Sequence, residues 1–518
     1  MNRTDVIVIG AGHNGLVCAL LLARAGLSVR IFEEQPVVGG AVRTERPFAK
    51  APDLGTSTGA YLLGLMQPEL LQKLDVNLPL KRRNPHYFLP TTDTRYLLVG
   101  GDESETKRQM LAFFSEQDWN AHVALNQEIA AIRDDIAPTW LLEPESIEAT
   151  AERYVRPTLR EAFVKLCRGS VGDYLDRFGF KSDLLKAMYA VTDGFSGLTG
   201  TWNTPGTGMN FLAHNMCRLP GSGGTWMIVE GGMGTITTRL ADAARKEGVQ
   251  IETSAPIASI ETTNGVACGV NLVDGRRFQA ATVVTNADPF RMRDLVGREY
   301  LPDAYNTRID GYKRLGTTMK VNLALSKLPR FTCLPDDHGQ YGPTIHLLPS
   351  EGNIIDHLVK SFADVQAGKL PEFPTIEWYI HTTVDPTLRD SAGNHNSALF
   401  VQWVPYQPVG SSWEVETDRY VKHLLSICDR FAPGTSDAVV DVFALPPPGI
   451  EKHFGIRHGH IHHVDNAYGF SDRLPYRTPI AGLYSCSAGT HPAGSVIGSA
   501  GHNAAMAVLR DLALVLPR

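Results

Sequence analysis

The chain has 518 residues, 43% of them hydrophobic and 20% charged, the balance of a folded globular protein long enough for several structural units. Lys plus Arg number 49 against 55 Asp plus Glu, a net charge of −6, which excludes the basic excess that nucleic-acid binding requires. Seven dispersed cysteines (Cys18, Cys167, Cys217, Cys268, Cys333, Cys428, Cys486), never spaced C-x-x-C, exclude a zinc knuckle and a dithiol redox pair and fit a reducing, cytoplasmic setting.

The strand pattern starts at Asp5, so no secretion leader is expected before it. The most apolar stretch, 16–32, is broken by Arg24, Gly26 and Arg30, and no transmembrane segment is expected, although peripheral membrane contact stays open. Residues 5–9 are a β-branched run of the kind buried in a parallel sheet, and Gly10 ends it. A helix is predicted over 14–25, with Leu16, Ala19, Leu20 and Ala23 on one face and Gly26 closing it, followed by a strand over 29–32 that ends in Glu33-Glu34. This is a βαβ unit.

From about 70 to 220 the pattern reads as mostly helical, with amphipathic stretches at 128–136 and 171–178. An α/β pattern returns with a helix over 236–246, strands at 249–251 and 257–260, a hairpin over 269–278 turned by Asp274-Gly275, and a strand over 282–285. Strands dominate from 320 to about 460, among them 321–325, 377–382 and 398–404. The last block, 482–516, is again strand, Gly-rich turn and helix.

Gly10-Ala11-Gly12-His13-Asn14-Gly15 is a G-x-G-x-x-G between a strand and a helix. Gly10 permits the tight turn, Gly12 lets backbone approach a pyrophosphate, and Gly15 allows close helix-on-strand packing, with the anion held by helix N-terminal N–H groups. Glu33, closing the second strand, is placed to accept hydrogen bonds from a ribose diol. The second glycine pair, Gly39-Gly40-Ala41-Val42-Arg43-Thr44, suits a longer ligand than NAD, with Arg43 adding charge at the pyrophosphate and Ser57, Thr58 and Gly59 lining the far end.

Residues 6–15, Glu33, 39–44 and the C-terminal 482–492 together resemble the phytoene desaturase and flavin amine oxidase superfamily, over the whole chain. Asp385-Pro386-Thr387-Leu388, Gly393-Asn394-His395, Phe400-Val401-Gln402-Trp403, Pro405-Tyr406, Gly231-Gly232-Met233-Gly234 and Asn286-Ala287-Asp288-Pro289 look like its pyridine nucleotide-disulfide oxidoreductase domain-containing protein 2 branch. The resemblance implies an α/β fold with a discontinuous Rossmann-like FAD-binding domain and an inserted α+β substrate domain. It also implies noncovalent FAD, and an oxidoreductase (dehydrogenase, desaturase or oxidase) removing hydride from a C–C, C–N or C–O bond of a small organic or lipid-like substrate.

The FAD-binding domain is expected from 1–70, 225–300 and 470–518, and the substrate domain from 71–224 and 301–469. Carried over by position, Gly10, Gly12, Asn14, Gly15, Glu33, Gly40, Ala41 and Arg43 hold the adenine dinucleotide, with Ser57 and Thr58 beyond them. Ile257 meets the adenine, and Gly489, Ser495, Val496 and Ile497 lead a helix N-terminus toward the flavin. Glycine is the expected residue at Ser487 and Ala493, where this chain departs from the pattern.

The catalytic residues are less legible. His463, in Gly459-His460-Ile461-His462-His463, and His491 are the candidates to edge the flavin, although a histidine there also reads as core or surface. No carboxylate or cysteine at ligand spacing supports a metal, and none is expected. Tyr61 and Trp226 read as core, and 202–211 reads as a Pro/Gly turn before a packed helix or as a tunnel wall. A redox-neutral FAD isomerase and an FAD-bound interaction protein carry the same motifs. Substrate, electron acceptor (oxygen, a quinone or another) and oligomeric state stay open.

Overall fold

A computed structural model describes residues 3–349, 352–514 and 516, so the outermost positions of the expected segments 1–70 and 470–518, and residues 350 and 351, lie outside what is described. Two seven-stranded sheets form the frame. In the first, the order is Gln250–Glu252, Val29–Phe32, Arg3–Ile9, Arg277–Thr285, Val266–Leu272, Ile257–Thr263, with Leu483–Ser485 also pairing Arg277–Thr285. Neighbours are parallel from Gln250–Glu252 to Arg277–Thr285 and for Leu483–Ser485; the hairpin side, Val266–Leu272 and Ile257–Thr263, is antiparallel. In the strand at Arg3–Ile9, the β-branched residues Val6, Ile7, Val8 and Ile9 are all buried, as a run packed on both sheet faces requires.

Helix His13–Arg24 packs on this sheet with helices Gly234–Lys246 and Ser499–Asp511 around a core that includes Leu16, Leu20, Ile236, Leu240 and Val508. Two backbone approaches set its position. A β-carbon at Gly15 would lie 2.3 Å from the Gly10 carbonyl oxygen, and one at Gly501 would lie 2.2 Å from that of Asn14. Gly10 itself has φ +93°, a conformation open mainly to glycine.

The second sheet runs Val439–Leu445, Thr318–Leu325, His395–Gln402, Thr375–Tyr379, Thr344–Leu347, Tyr87–Pro90, Tyr96–Val99, antiparallel except where Thr344–Leu347 meets Tyr87–Pro90. One face, with Met319, Val321, Leu323, Ile376, Trp378, Leu399 and Val401, is covered by helix Trp413–Phe431 through Tyr420, Leu424 and Cys428. The other face carries Lys320, Glu377, Tyr379 and Phe400 into the interior of the protein.

Several expectations are corrected. The region 70–220 holds strands as well as helices: Leu80–Lys81, and a hairpin of Tyr87–Pro90 and Tyr96–Val99 that joins the second sheet where Tyr87–Pro90 meets Thr344–Leu347, a partner far along the chain. The predicted helix at 128–136 is the end of a longer one, Glu116–Ile136, and the stretch 320–460 contains helices Ile354–Gln366, Trp413–Phe431 and Pro447–Phe454. The strand predicted over 377–382 stops at Tyr379, where the chain turns into the 3-10 segment His381–Thr383.

Gly501→Val should destabilise the fold by about 1–3 kcal/mol or more, because the added carbons meet the Asn14 carbonyl at a helix crossing that has no slack. Gly311→Ala, at a helix end with nothing within 4 Å of the new carbon, serves as the neutral control. Equal thermal midpoints for the two variants would contradict the close-approach account.

Candidate active site

One cavity of about 750 Å³ runs from the carboxyl ends of the first sheet to the interior face of the second. The carboxyl ends of parallel strands are where such sheets bind ligands, because the strand-to-helix turns leave N–H groups pointing into the crevice. At this end the lining includes Gly10, Gly12, His13, Asn14, Glu33, Gly40, Ala41, Arg43, Thr58, Ile257, Asn286, Ser495 and Val496. The second glycine pair lies directly on the first turn: the Gly39 N–H donates to the Ala11 carbonyl at 2.9 Å, and a β-carbon on Gly40 would stand 3.7 Å from the Gly12 Cα.

Glu33 is buried, not a solvated strand end. Its two carboxylate oxygens accept the N–H groups of Ala11 (2.7 Å) and Gln35 (2.9 Å), so it braces the glycine turn, while burial raises its pKa. Each oxygen retains a lone pair toward the cavity. Several buried polar atoms at this end have no protein partner among the described residues: His13 Nε2, Asn14 Oδ1 and Arg43 Nε. A protein seldom leaves such atoms unpaired, since each costs about 1–3 kcal/mol. A ligand of alternating phosphates and hydroxyls supplies what they lack, and these residues fit the dinucleotide part of FAD.

The far end of the cavity is built by the second sheet, Tyr61, Arg83 and the helical region. Strand Thr318–Leu325 alternates, sending Met319, Val321 and Leu323 to the apolar core and Lys320 to the cavity. Lys320 is 3% exposed, its Nζ has no hydrogen-bond partner among the described residues, and it sits 3.8 Å over the Tyr61 ring. Burial brings its pKa down to about 7, with Glu377 acting weakly in the opposite direction. Glu377 is itself engaged: it accepts from Tyr379 Oη and from Tyr61 Oη (3.4 Å) and lies 3.5 Å from His346 Nε2. Burial also holds the cavity imidazoles well below their usual range, His13, His122 and His214 at about 4 and His86, His462 and His463 at about 3, so all six are neutral at physiological pH.

Of the residues expected from sequence, Gly10, Gly12, Asn14, Glu33, Gly40, Ala41, Arg43, Thr58, Ile257, Ser495, Val496 and His463 line this cavity. Five do not. Gly15 packs helix on strand; Ser57 accepts the Met233 N–H at 3.0 Å; Gly489 sits against Pro289, leaving Ala488 on the lining; and Ile497 belongs to the helical core. His491 is the fifth. It is buried against Phe470 with Nε2 3.1 Å from the Thr139 carbonyl oxygen, a packing role between the C-terminal segment and the helical region. Cys486 is likewise off the lining.

Tyr61 and Trp226, read as core, line the cavity, whereas none of 202–211 does. Lys320, Arg83, Glu377 and Tyr379 were missed. In the sequence Thr318-Met319-Lys320-Val321-Asn322-Leu323, polar alternation has the look of a solvent-facing strand, and only the packing of the sheet places Lys320 on the cavity.

The chain belongs to the flavin-containing amine oxidoreductase family, whose match spans residues 15–346. It is 32% identical to the pyridine nucleotide-disulfide oxidoreductase domain-containing protein 2 of Mus musculus, an alignment covering 98% of this chain and 94% of that one. A hydroxyneurosporene desaturase of Cereibacter sphaeroides is 29% identical, with 55% of this chain and 56% of that one covered. An oxidoreductase from Methanosarcina mazei shares the fold at a TM-score of 0.63 and 17% identity, over 98% of this chain and 100% of that one. The cofactor is FAD and the activity is FAD-dependent oxidoreduction of a small molecule. No helix among the described residues is long and apolar enough to cross a membrane.

Glu33→Ala should weaken FAD affinity about tenfold or more, since a charge-assisted hydrogen bond is worth about 1.5–3 kcal/mol. Fluorescence titration of the apoprotein measures it, and an unchanged affinity would mean that the carboxylate serves the turn alone. Acid precipitation should release all the yellow colour into the supernatant, and colour left in the pellet would contradict noncovalent binding.

Proposed function

We propose that this protein is a desaturase-like FAD-dependent dehydrogenase that removes hydride from a carbon of a small organic or lipid-like substrate, at a C–C, C–N or C–O bond. The observation that carries the reading is the unpartnered Lys320 amine at the second-sheet end of a cavity that begins at the dinucleotide turn. In this reading Gly10, Gly12, Asn14, Glu33, Gly40, Ala41, Arg43, Thr58, Ile257, Ser495 and Val496 hold FAD. Segments 1–70, 225–300 and 470–518 form its domain and 71–224 and 301–469 the substrate domain. Support comes from the sheets: every strand of the first falls in the former set and every strand of the second in the latter.

FAD, when bound, supplies the acceptor for the hydride. What the chain must add is an orientation for the reacting C–H bond, exclusion of water and a place for the proton that leaves with it. Tyr61, Tyr379 and Phe400, with the Tyr61 ring centroid 4.4 Å from that of Tyr379 and 5.6 Å from that of Phe400 and the rings tilted by 43° and 55°, form an aromatic wall for the substrate. Neutral Lys320 has a lone pair on Nζ and no internal hydrogen bond to break before accepting a proton. The cavity histidines hold too little basicity at their lowered pKa values to compete for that role. His463 lies beside His13 at the glycine turn and is assigned to the cofactor wall.

Because the amine accepts only when neutral, anaerobic flavin reduction by substrate should rise with pH through about 7, the lowered pKa of Lys320. Glu377, Tyr61, Tyr379 and His381 are the titratable groups facing it, and the first three stay hydrogen-bonded to one another across that range. Lys320→Met should lose this limb and slow reduction by about tenfold or more, while retaining FAD. A retained limb and rate would remove Lys320 from the chemistry; turnover without any flavin bleaching or electron acceptor would favour a redox-neutral isomerase.

A further inference from the structure

Arg83 stands at the substrate end of the cavity without an anion. It is 4% exposed, yet among the described residues it makes no ion pair. Its Nε donates to the Trp226 carbonyl at 2.9 Å and its Nη1 to Thr344 Oγ1 at 2.8 Å, which fixes the plane of the guanidinium and leaves Nη2 without a protein acceptor among the described residues. Lys320, on the same cavity, likewise has an amine with no hydrogen-bond partner among the described residues. The neighbouring carboxylate, Glu377, is taken up by Tyr379, Tyr61 and His346. Asp193, the other acid of this end, is pushed up to about 7 by burial and accepts from Asn215 at 3.0 Å.

With Nε used by Trp226 and one Nη1 hydrogen by Thr344, the guanidinium keeps one N–H on Nη1 and two on Nη2, donors that suit a carboxylate held at fixed orientation. An isolated buried charge is costly, so the missing anion is a ligand's. Resting on the oxidoreductase reading above, we propose that the substrate is a carboxylic acid whose carboxylate is bound by Arg83 and whose apolar body lies along the Tyr61–Tyr379 wall. A free amine cation meets the Arg83 guanidinium here and finds no unengaged carboxylate. A further cation stands at the exposed lining residue Gly223, where the Arg82 guanidinium lies, whereas Arg133, near Gly224, is paired with Asp134 at 3.2 Å.

The test uses the FAD-loaded protein as purified and three probes, benzoate, butyrate and octanoate, each paired with its amide. Binding is followed by perturbation of the visible flavin band. At least one carboxylate should saturate, with its amide weaker by about tenfold or more. Arg83→Gln should weaken that carboxylate by a similar factor while leaving the amide within about twofold, and Arg83→Lys should fall between. The proposal is overturned if no carboxylate saturates, if the amides bind equally well, or if Arg83→Gln leaves the carboxylate affinity unchanged. Should Arg83→Gln fail to fold, the carboxylate–amide comparison on the unaltered protein and the Arg83→Lys variant decide it. A yellow protein that is reduced by a neutral or cationic substrate and ignores every carboxylate rejects this proposal and keeps the oxidoreductase reading; a protein that binds no flavin rejects that reading itself.

Discussion

Unpaired polar atoms inside the cavity are the constraint around which this structure is arranged. At the first-sheet end they are His13 Nε2, Asn14 Oδ1 and Arg43 Nε; at the second-sheet end they are Lys320 Nζ and the free nitrogen of Arg83. A folded chain pays for such atoms only where something else completes them. The two groups differ in kind: the first sits at a glycine turn with helix N–H groups, and the second is cationic and faces aromatic rings. The pair describes one long nucleotide-bearing ligand meeting a smaller one.

The scaffold explains how two unrelated walls come to share a cavity. The first sheet is made by segments that leave it and return, and its close packing depends on backbone contacts that only glycine allows, at Gly15 and Gly501. The second sheet turns its apolar face to helix Trp413–Phe431, so its alternate residues face inward to the cavity. Burial then sets the electrostatics. It keeps the cavity imidazoles neutral and brings the Lys320 amine down to about 7, so one side chain on this wall can change its charge near physiological pH while its histidine neighbours do not.

The nucleotide end was legible because its chemistry is local. Gly10, Gly12, Gly15 and Glu33 lie within one βαβ unit, and a strand, a turn and a helix leave their own periodicities there. The C-terminal turn at Ser495 and Val496 was read from resemblance, and its place on the same lining depends on Leu483–Ser485 joining the first sheet. The substrate end was not legible, because it is assembled from Tyr61, Arg83, Lys320 and Glu377, drawn from four separate stretches. Lys320 and Glu377 sit in strands whose polar alternation is what any half-exposed sheet shows. His491, four residues before Ser495, is near the C-terminal turn in sequence, and its ring packs toward Thr139, off the cavity lining, a placement that no local pattern reveals.

The measurement that tests the account most directly is a crystal structure of the protein as purified, with its own cofactor. The account predicts density for FAD lying over Gly10 and Gly12, past Arg43 and Ser495, with its isoalloxazine ring ending beside Lys320 and Tyr61. A flavin ring directed away from the second sheet, or a cavity that holds no dinucleotide when yellow protein is crystallised, would contradict it.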